Sequence, residues 1–333
     1  MDIDFVIPWV DGNDVEWQKE KKHYENLIHN NDESVNTPNR YRDWDLLEFW
    51  FRGVEEFAPW VRKIHFLTWG HVPSFLKTNH PKLHIVNHHD FMPQDALPTY
   101  SSLAIEMCLH KIEGLSEHFV YFNDDMFLTK PVKEDDFFIN GLPVDYFEES
   151  PYYPTGTTIY EYWLHNALCV VNRNFNKHVQ IKKNLRTWFK FVTKQSFFNT
   201  LKAYPWDCYI GFPITHLPAP FLKSTWIDLW QHEEPFLKKT VYSKFRSPLN
   251  VEQDLFRFWQ FAKCTFENAP RKGAFFEIKE KNINRICQAI REQQYKEICI
   301  NDDCEEEFFN NCRQKIHDSF DFILPRKSSY ERQ

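Results

Sequence analysis

FVYFNDDMFL, residues 119–128, is the stretch on which the reading of the whole chain turns. An apolar run, Phe119-Val120-Tyr121-Phe122, stops at Asn123, Asp124 and Asp125, and apolar character resumes at Met126. A short run rich in Phe, Val and Tyr predicts a buried strand. The segment before it, SSLAIEMCLHKI (101–112), has helical spacing, opens on a serine suited to an N-cap and is followed by the breaker Gly114. A helix leading into a buried strand predicts an α/β unit, and in open α/β sheets ligands gather beyond the carboxyl ends of the strands. Two adjacent carboxylates there repel each other unless a cation or a shared proton relieves them. A hard divalent ion bridging a phosphate does so. A solvated turn is the competing reading of the motif taken alone.

Working outward, IDFVIPWV (3–10), KIHFLTW (63–69) and LHIVNH (83–88) predict further strands. Helix-permissive sequence runs to about Asn30, and DWDLLEFWFRGVEEF (43–57) predicts a helix with Asp43 as N-cap. This alternation predicts a mostly parallel sheet flanked by helices. Polar groups follow each strand: Asp11 and Asn13, Thr68-Trp69-Gly70-His71, Asn87-His88-His89-Asp90, and Asn123-Asp124-Asp125. Four polar strand ends on one sheet edge suggest a pocket for a polyanionic ligand, although strand ends are often polar in α/β proteins. His88, His89 and Asp90 are metal-ligand types, but neighbours on a strand point to opposite faces, which argues against one shared ion.

The second half reads differently. Aromatic helical stretches at about 174–203 and 250–263 surround a proline-punctuated segment at 204–220, and helices at 281–297 and 303–319 follow. Residues 1–145 therefore form an α/β part, and 146–333 a helix-rich part completing the same active site within one continuous catalytic domain. In ITHLPAPF, Pro218 and Pro220 fix the backbone just after His216, so its imidazole is a candidate general base or a structural histidine. Arg246, in KFRSPLN, offers a planar fork for a phosphate oxygen or is a surface cation. The INDD run at 300–303 is either the N-cap of the next helix or a second contribution to a metal or nucleotide site.

Composition removes several classes. A net charge of −7 argues against a nucleic-acid backbone as partner. Only 8 Gly occur, too few for a glycine-rich phosphate-loop design. No apolar run reaches membrane-spanning length, and MDIDFVIPWV lacks the basic start of a signal peptide, so a cytoplasmic location is expected. Eight scattered cysteines fit no common zinc spacing and read as reduced thiols. The 32 Phe and 12 Trp are a surplus expected mainly in the core, with some left to stack on sugars or bases.

Taken in order, these clusters resemble the Stealth family of sugar-1-phosphate transferases, which includes bacterial capsule and cell-wall polysaccharide enzymes and the animal GlcNAc-1-phosphotransferase. IDFVIPWVDGND is similar to the family's first block. RYRDWDLLEFWFRGVEEFAPWVRKIHFLTWGHVPSFL, continued through NHPKLHIVNHHDF and LPTYSSLAIEMCLHKIEGLSEHFVYFNDDMFL, resembles the long second block. THLPAPF with FRSPLNVEQD resembles the third, and ICINDD with SSYE (328–331) the fourth, where Asp303 and Tyr330 stand in place of the Asn and Phe common in relatives.

The resemblance implies a GT-A-like nucleotide-sugar fold with extra helices. It implies transfer of a hexose-1-phosphate or N-acetylhexosamine-1-phosphate from a UDP-sugar to a glycan hydroxyl, with release of UMP, in capsular or cell-surface polysaccharide synthesis. The implied acceptor is a lipid-linked oligosaccharide met peripherally at the inner membrane face. Asp124 and Asp125, with Asp302, are the implied ligands of Mg²⁺ or Mn²⁺; His216 is the implied base. Arg246, assisted by Arg40, is implied to face the transferred phosphate. Asp11, Asn13, Thr68 and Asn123 would line the donor, with Trp9 or Trp69 stacking on a ring. The alternatives are a metal-dependent GT-A glycosyltransferase releasing UDP and a non-catalytic glycan-binding protein.

Overall fold

Along the first strand, Ile3, Phe5 and Ile7 enter one buried cluster and Val6 enters another. The same alternation divides Val120 and Phe122 from Phe119 and Tyr121. Successive side chains of a strand point to opposite faces, so this sheet is apolar on both sides and must be covered on both.

The computed structural model describes residues 1–28, 42–270 and 273–332. In chain order its strands are β1 (Ile3–Pro8), β2 (Lys63–Thr68), β3 (Leu83–Asn87), β4 (His118–Tyr121), β5 (Met126–Leu128), β6 (Phe138–Ile139), β7 (Leu142–Asp145), β8 (Ala219–Leu222), β9 (Glu267–Asn268), β10 (Gly273–Ile278) and β11 (Glu297–Asp302). The first half holds helices α1 (Val15–Ile28), α2 (Leu47–Phe57), α3 (His88–Phe91) and α4 (Ser102–Met107). The second holds α5 (Tyr160–Asn174), α6 (Lys177–Lys183), α7 (Leu185–Trp188), α8 (Lys194–Ala203), α9 (Lys223–Val241), α10 (Asp254–Lys263), α11 (Ile283–Arg291) and α12 (Glu306–Ile323).

The central sheet has the order β3-β2-β1-β4-β8. Its first four strands are mutually parallel, and β8 closes one edge antiparallel to β4. Pro220 lies opposite Val120 on this edge strand, a position where a missing N–H is tolerated. A second sheet, β10-β11-β5, joins the C-terminal part to the residues just after Asp125. One face of the central sheet is covered by α2, α11, α12 and this second sheet, the other by α4, α5, α9 and α10. Trp50, Trp188, Trp226 and Trp259 are fully buried, and Trp226 stacks on Phe256 at 3.6 Å. This part of the aromatic surplus is core.

The mostly parallel α/β sheet with flanking helices agrees with the sequence reading; several local expectations do not. The helix expected from Asp43 begins at Leu47, because Asp43 Oδ1 accepts from the Asp45 N–H at 2.7 Å and Asp45 takes a left-handed φ of 53°. Ser101 precedes α4 but its hydroxyl makes no capping bond. His88, His89 and Asp90 are helical, not extended, since Asn87 and Asp90 form a capping box around α3. In the second half, helices fill 160–174 and 223–241, and ICIND, expected at a helix boundary, is the buried strand β11. Short apolar runs fit either state, and here pairing with β5 and β10 decides for strand.

The chain's end is clasped to α2. Arg52 Nε and Nη2 donate to the two oxygens of Glu331 at 2.8 Å each, and Arg52 Nη1 donates to the Leu324 carbonyl. Ser328 N–H also donates to Glu331, and Lys77 N–H to the Tyr330 carbonyl. Gly53 lets α2 press on β5, where an added Cβ would stand 3.0 Å from the Leu128 carbonyl. Burial alone would raise the Glu331 pKa, but Arg52 and Ser328 outweigh it and lower it. Arg52→Met leaves that carboxylate buried and unpaired, so unfolding in urea is expected to show a loss of about 3–5 kcal/mol at neutral pH. The loss should shrink as acid titrates Glu331 through its lowered folded-state pKa.

Candidate active site

The chain builds outward from β1 through β2 to β3, then returns to place β4 on the other side of β1. The strand order therefore reverses between β1 and β4, and connections leaving their carboxyl ends diverge and open a crevice. Asp11 lies beyond β1, and Asn123, Asp124 and Asp125 lie beyond β4.

On the β1 side, Asp11 Oδ1 accepts from Asn13 N–H at 2.9 Å, and its own N–H donates to His71 Nδ1 at 3.3 Å. Asp14 starts α1 by accepting from Trp17 N–H at 2.7 Å. The Thr68 hydroxyl is buried and donates to the His71 carbonyl at 2.6 Å, so it shapes the 68–71 turn. Trp69 stacks on His89 with ring centroids 4.9 Å apart, while Trp9 packs against Phe66. His88 is buried beneath, its pKa pushed down to about 3 by that burial and by His89 and His71.

On the β4 side two remote segments converge on Asp125. Its carbonyl accepts from Ile300 N–H at 2.9 Å, and Oδ2 accepts from the Cys299 thiol at 3.2 Å. His216 Nε2 stands 3.8 Å from the same Oδ2, while Oδ1 is buried and has no hydrogen-bond partner among the described residues. One ligand atom each from Asp125, His216 and Cys299 lies within 4.8 Å of the others. Burial raises the Cys299 thiol well above its ordinary pKa, and Asp125 adds to this, so the thiol stays protonated. Asp124 faces open solvent at the crevice mouth with protein packed behind it. Its pKa is pushed up to about 7 by those surroundings first, then by Asp125. Asp43, read from sequence only as a helix cap, is a further acid here: burial first, then the charges of Asp45 and Asp11, raise its pKa against the Asp45 N–H bond that lowers it, and Asp43 raises that of Asp124.

His216 owes its position to the edge strand. Because β8 runs antiparallel to β4, the residues entering β8 lie beside those leaving β4. Upstream, the Pro213 carbonyl is held by Arg257 Nη1 at 2.8 Å, and the Arg257 guanidinium is itself locked on Asp145. His216 takes a φ of 42°, a conformation uncommon outside glycine that the flanking structure imposes. Its ring meets Phe275 edge-on at 5.5 Å. Burial works against its charge, but Asp125, Asp254 and Glu106 outweigh that and raise its pKa.

Among the described residues, the remaining expected ones make no hydrogen bond or ion pair with this cluster. Arg246 Nη2 donates to Ser102 Oγ at 2.9 Å and its guanidinium lies 5.9 Å from the Trp163 ring centroid. Its loop is fixed by Tyr100 N–H on the Lys244 carbonyl and by Phe245 stacked on Tyr100. Among the described residues no carboxylate pairs with Arg246, so its charge is held but uncommitted. Asp302, by contrast, is occupied: Arg42 reaches both its oxygens at 2.9 and 2.7 Å, and Trp44 Nε1 and Cys304 N–H donate to it. Arg40 lies outside the described residues. Cys299 and Arg42 escaped the sequence reading; proximity of ICIN to the NDD motif appears only once β11 pairs with β5.

Comparison with known proteins gives concordant matches. Residues 1–28 match the family model of Stealth protein conserved region 1, and 40–144 that of conserved region 2. The chain is 36% identical over 99% of its length to the capsular polysaccharide phosphotransferase WcwK of Streptococcus pneumoniae, covering 98% of that protein. It is 37% identical over 99% of its length to the receptor polysaccharide phosphotransferase WefC of Streptococcus gordonii, covering 98% of it. Against the exopolysaccharide phosphotransferase cps2G of Lactiplantibacillus plantarum it is 33% identical, spanning 99% of this chain and 96% of the relative. Among solved structures, the galactosyltransferase LgtC in complex with donor and acceptor sugar analogs aligns over 98% of both chains, with a TM-score of 0.39 and 8% identity.

Glu106, whose charge is felt by His216, accepts from Gln253 N–H at 2.9 Å and from the Tyr121 hydroxyl. Burial pushes its pKa from 4.5 up to about 8, Asp254 adds to the rise, and the two donors only partly oppose it. Between these values the unfolded chain has released a proton that the folded protein retains, so stability falls as pH rises. Glu106→Gln should remove this dependence. Its urea midpoint is expected to exceed that of the unsubstituted protein at pH 8, with the advantage fading toward pH 4.5.

Proposed function

This chain belongs to the Stealth family of capsular and exopolysaccharide phosphotransferases, and from that premise we propose that it moves a sugar-1-phosphate from a UDP-sugar to a hydroxyl of a glycan acceptor. The observation that carries the reading is the convergence of His216 and Cys299 on Asp125, whose Oδ1 is uncommitted, next to Asp124 in the chain at the crevice between β1 and β4. Residues 1–145 and 146–333 act on this reading as one catalytic unit, since the former supplies the acids and the latter the imidazole and guanidinium.

The residues present fit a hard divalent cation, Mg²⁺ or Mn²⁺. An orphaned carboxylate oxygen, a neighbouring acid whose pKa that neighbour raises, and further acids at Asp11 and Asp43 all favour added positive charge. A soft-metal thiolate site is disfavoured because Cys299 is protonated and donates to Asp125. Asp124 and Asp125 would hold the cation, which would neutralise the donor pyrophosphate. Asp302, saturated by Arg42, has no oxygen free of hydrogen bonds and would serve by anchoring the end of β11.

His216 accepts the proton of the acceptor hydroxyl as the hydroxyl oxygen bonds to the β-phosphorus. The bond from that phosphorus to the bridging oxygen breaks, its electron pair stays on UMP, and a phosphodiester joins sugar and acceptor. Arg246, fixed on Ser102 without a carboxylate partner, faces the equatorial oxygens. Asp11 and Asn13 line the nucleotide end, with Trp9 or Trp69 against a ring, and Asn123 and Thr68 shape the crevice wall. A lipid-linked acceptor is met at a membrane surface by peripheral contact, and no helix among the described residues is long and apolar enough to cross a membrane.

Incubation with a panel of UDP-sugars and Mg²⁺, with analysis of both products, tests the reading. UMP and a ³¹P phosphodiester signal are expected; UDP without that signal would assign the chain to ordinary glycosyl transfer, and tight glycan binding without donor consumption to a binding protein. His216→Ala should keep donor affinity while kcat drops by roughly 10²–10⁴. Asp125→Ala should lose both turnover and the cation dependence of donor binding, measured by calorimetry with and without chelator.

A further inference from the structure

A chain with 47 Asp and Glu among 333 residues has neither between Tyr162 and Trp206. Within that stretch Lys182, Lys183, Arg186, Lys194 and Lys202 are exposed, and among the described residues no carboxylate pairs with any of them. Lys190 pairs with Glu267, and Lys177 is buried against Glu149, where it also donates to the Ala203 carbonyl and pins the segment from below. An acidic protein thus carries, over α6–α8, a segment whose exposed charges are cations, bordered by the exposed Asp207, which stands 3.4 Å from His178.

The same face is apolar in an unusual sense. Helix α8 is turned inside out. Its inward residues are Ser196 and Thr200, both buried and satisfied: Ser196 is bonded to Thr193, and Thr200 Oγ1 accepts from Glu149 N–H at 3.0 Å. Its outward residues are Phe198 and Leu201, 54% and 48% exposed, with Phe197 beside them. A helix in contact with water places such groups the other way round. The inward hydrogen bonds hold this orientation, so it is not a loosely packed helix free to roll. The exposed rings are contiguous: Phe198 meets Phe197, Phe197 meets Phe191, Phe191 meets Phe189 and Phe189 meets Tyr204, with centroids 5.0 to 6.3 Å apart. Trp206, 58% exposed, continues the patch and lines a depression of about 390 Å³ with Tyr152, Tyr153 and Leu168.

We propose that the α6–α8 face is a docking surface for an anionic lipid bilayer, with Phe198, Leu201 and Trp206 entering the headgroup region and Lys182, Lys183, Arg186, Lys194 and Lys202 meeting the lipid phosphates. Charge complementarity selects this occupant. Exposed aromatic and leucine side chains on a segment whose five exposed cations have no carboxylate partner among the described residues match the interface of an anionic leaflet, where each lysine or arginine strengthens attraction roughly fivefold. A second copy of this chain is a poor match, because a self-complementary interface would oppose the same cations to one another. The chain leaves the patch at Trp206 and reaches His216 ten positions later, which ties the face to the reacting end of the molecule. The proposal deepens the reading of a lipid-borne acceptor, yet its test needs neither donor nor acceptor, so its failure would leave phosphotransfer untouched.

Cosedimentation of the full chain with vesicles of phosphatidylglycerol and phosphatidylcholine, against phosphatidylcholine alone, decides the matter. Binding to the anionic vesicles that weakens with added NaCl is expected. Phe198→Asp with Leu201→Asp should weaken it by roughly tenfold or more. Lys182→Glu with Lys183→Glu and Lys194→Glu should weaken it comparably at low salt, with unchanged melting temperatures in both variants. The proposal is overturned by absence of vesicle binding, by binding that both variants retain, or by a dimer in solution that Phe198→Asp converts to monomer.

Discussion

The hydrogen bond from Ile300 N–H to the Asp125 carbonyl is the join on which the site depends. It begins the ladder between β5 and β11, and that ladder brings Cys299 under the Asp125 carboxylate and draws the C-terminal part against the sheet. The pairing of β8 with β4 completes the arrangement by carrying His216 to the same strand end. Two strand pairings, each between residues more than ninety positions apart, therefore assemble a centre from three regions of the chain. Long-range pairing of this kind is specified by buried apolar residues on both partners, here Ile298, Ile300, Phe127 and Leu128 on one side and Val120 and Phe221 on the other.

Electrostatics around that join follow from burial. Burial raises the pKa of Asp124 and Asp43, and the charges of neighbouring acids add to the rise. Several structural acids are each met by a guanidinium, as at Asp302 with Arg42, Glu331 with Arg52 and Asp145 with Arg257. Asp124 and Asp125 have no such partner among the described residues. The contrast separates acids that hold the fold from acids without a cationic partner, and the proposed phosphoryl transfer draws on the second kind.

The fold also explains how an acidic protein can present a basic, apolar face. Ser196 and Thr200 of α8 are consumed by bonds to Thr193 and Glu149, which turns Phe198 and Leu201 outward. The buried Lys177–Glu149 pair supports the same layer from inside. Exposed apolar groups of this density signal a surface meant to be covered.

Much of this was legible beforehand. The apolar runs at 3–10, 63–69, 83–88 and 119–122 pointed to the strands that form β1 to β4, which are parallel, and polar residues directly after each marked a candidate edge for the site. Asp11, Asp124, Asp125 and His216 could be picked out as candidates because their spacing to strand ends and prolines is local information. Asp43 misled, because a cap and a crevice acid look alike until a left-handed Asp45 shows that the helix starts later. The strand β11 was missed because ICIND is too short to distinguish strand from helix. Cys299, the engagement of Asp302 by Arg42 and the outward turn of α8 depend on which remote residue lies opposite. Sequence periodicity reports which groups share a face of one element; which face another element covers is settled only by packing of the whole chain. The first determined the sheet and its acidic end, and the second decided which acid is bare, which is paired and which surface is left uncovered.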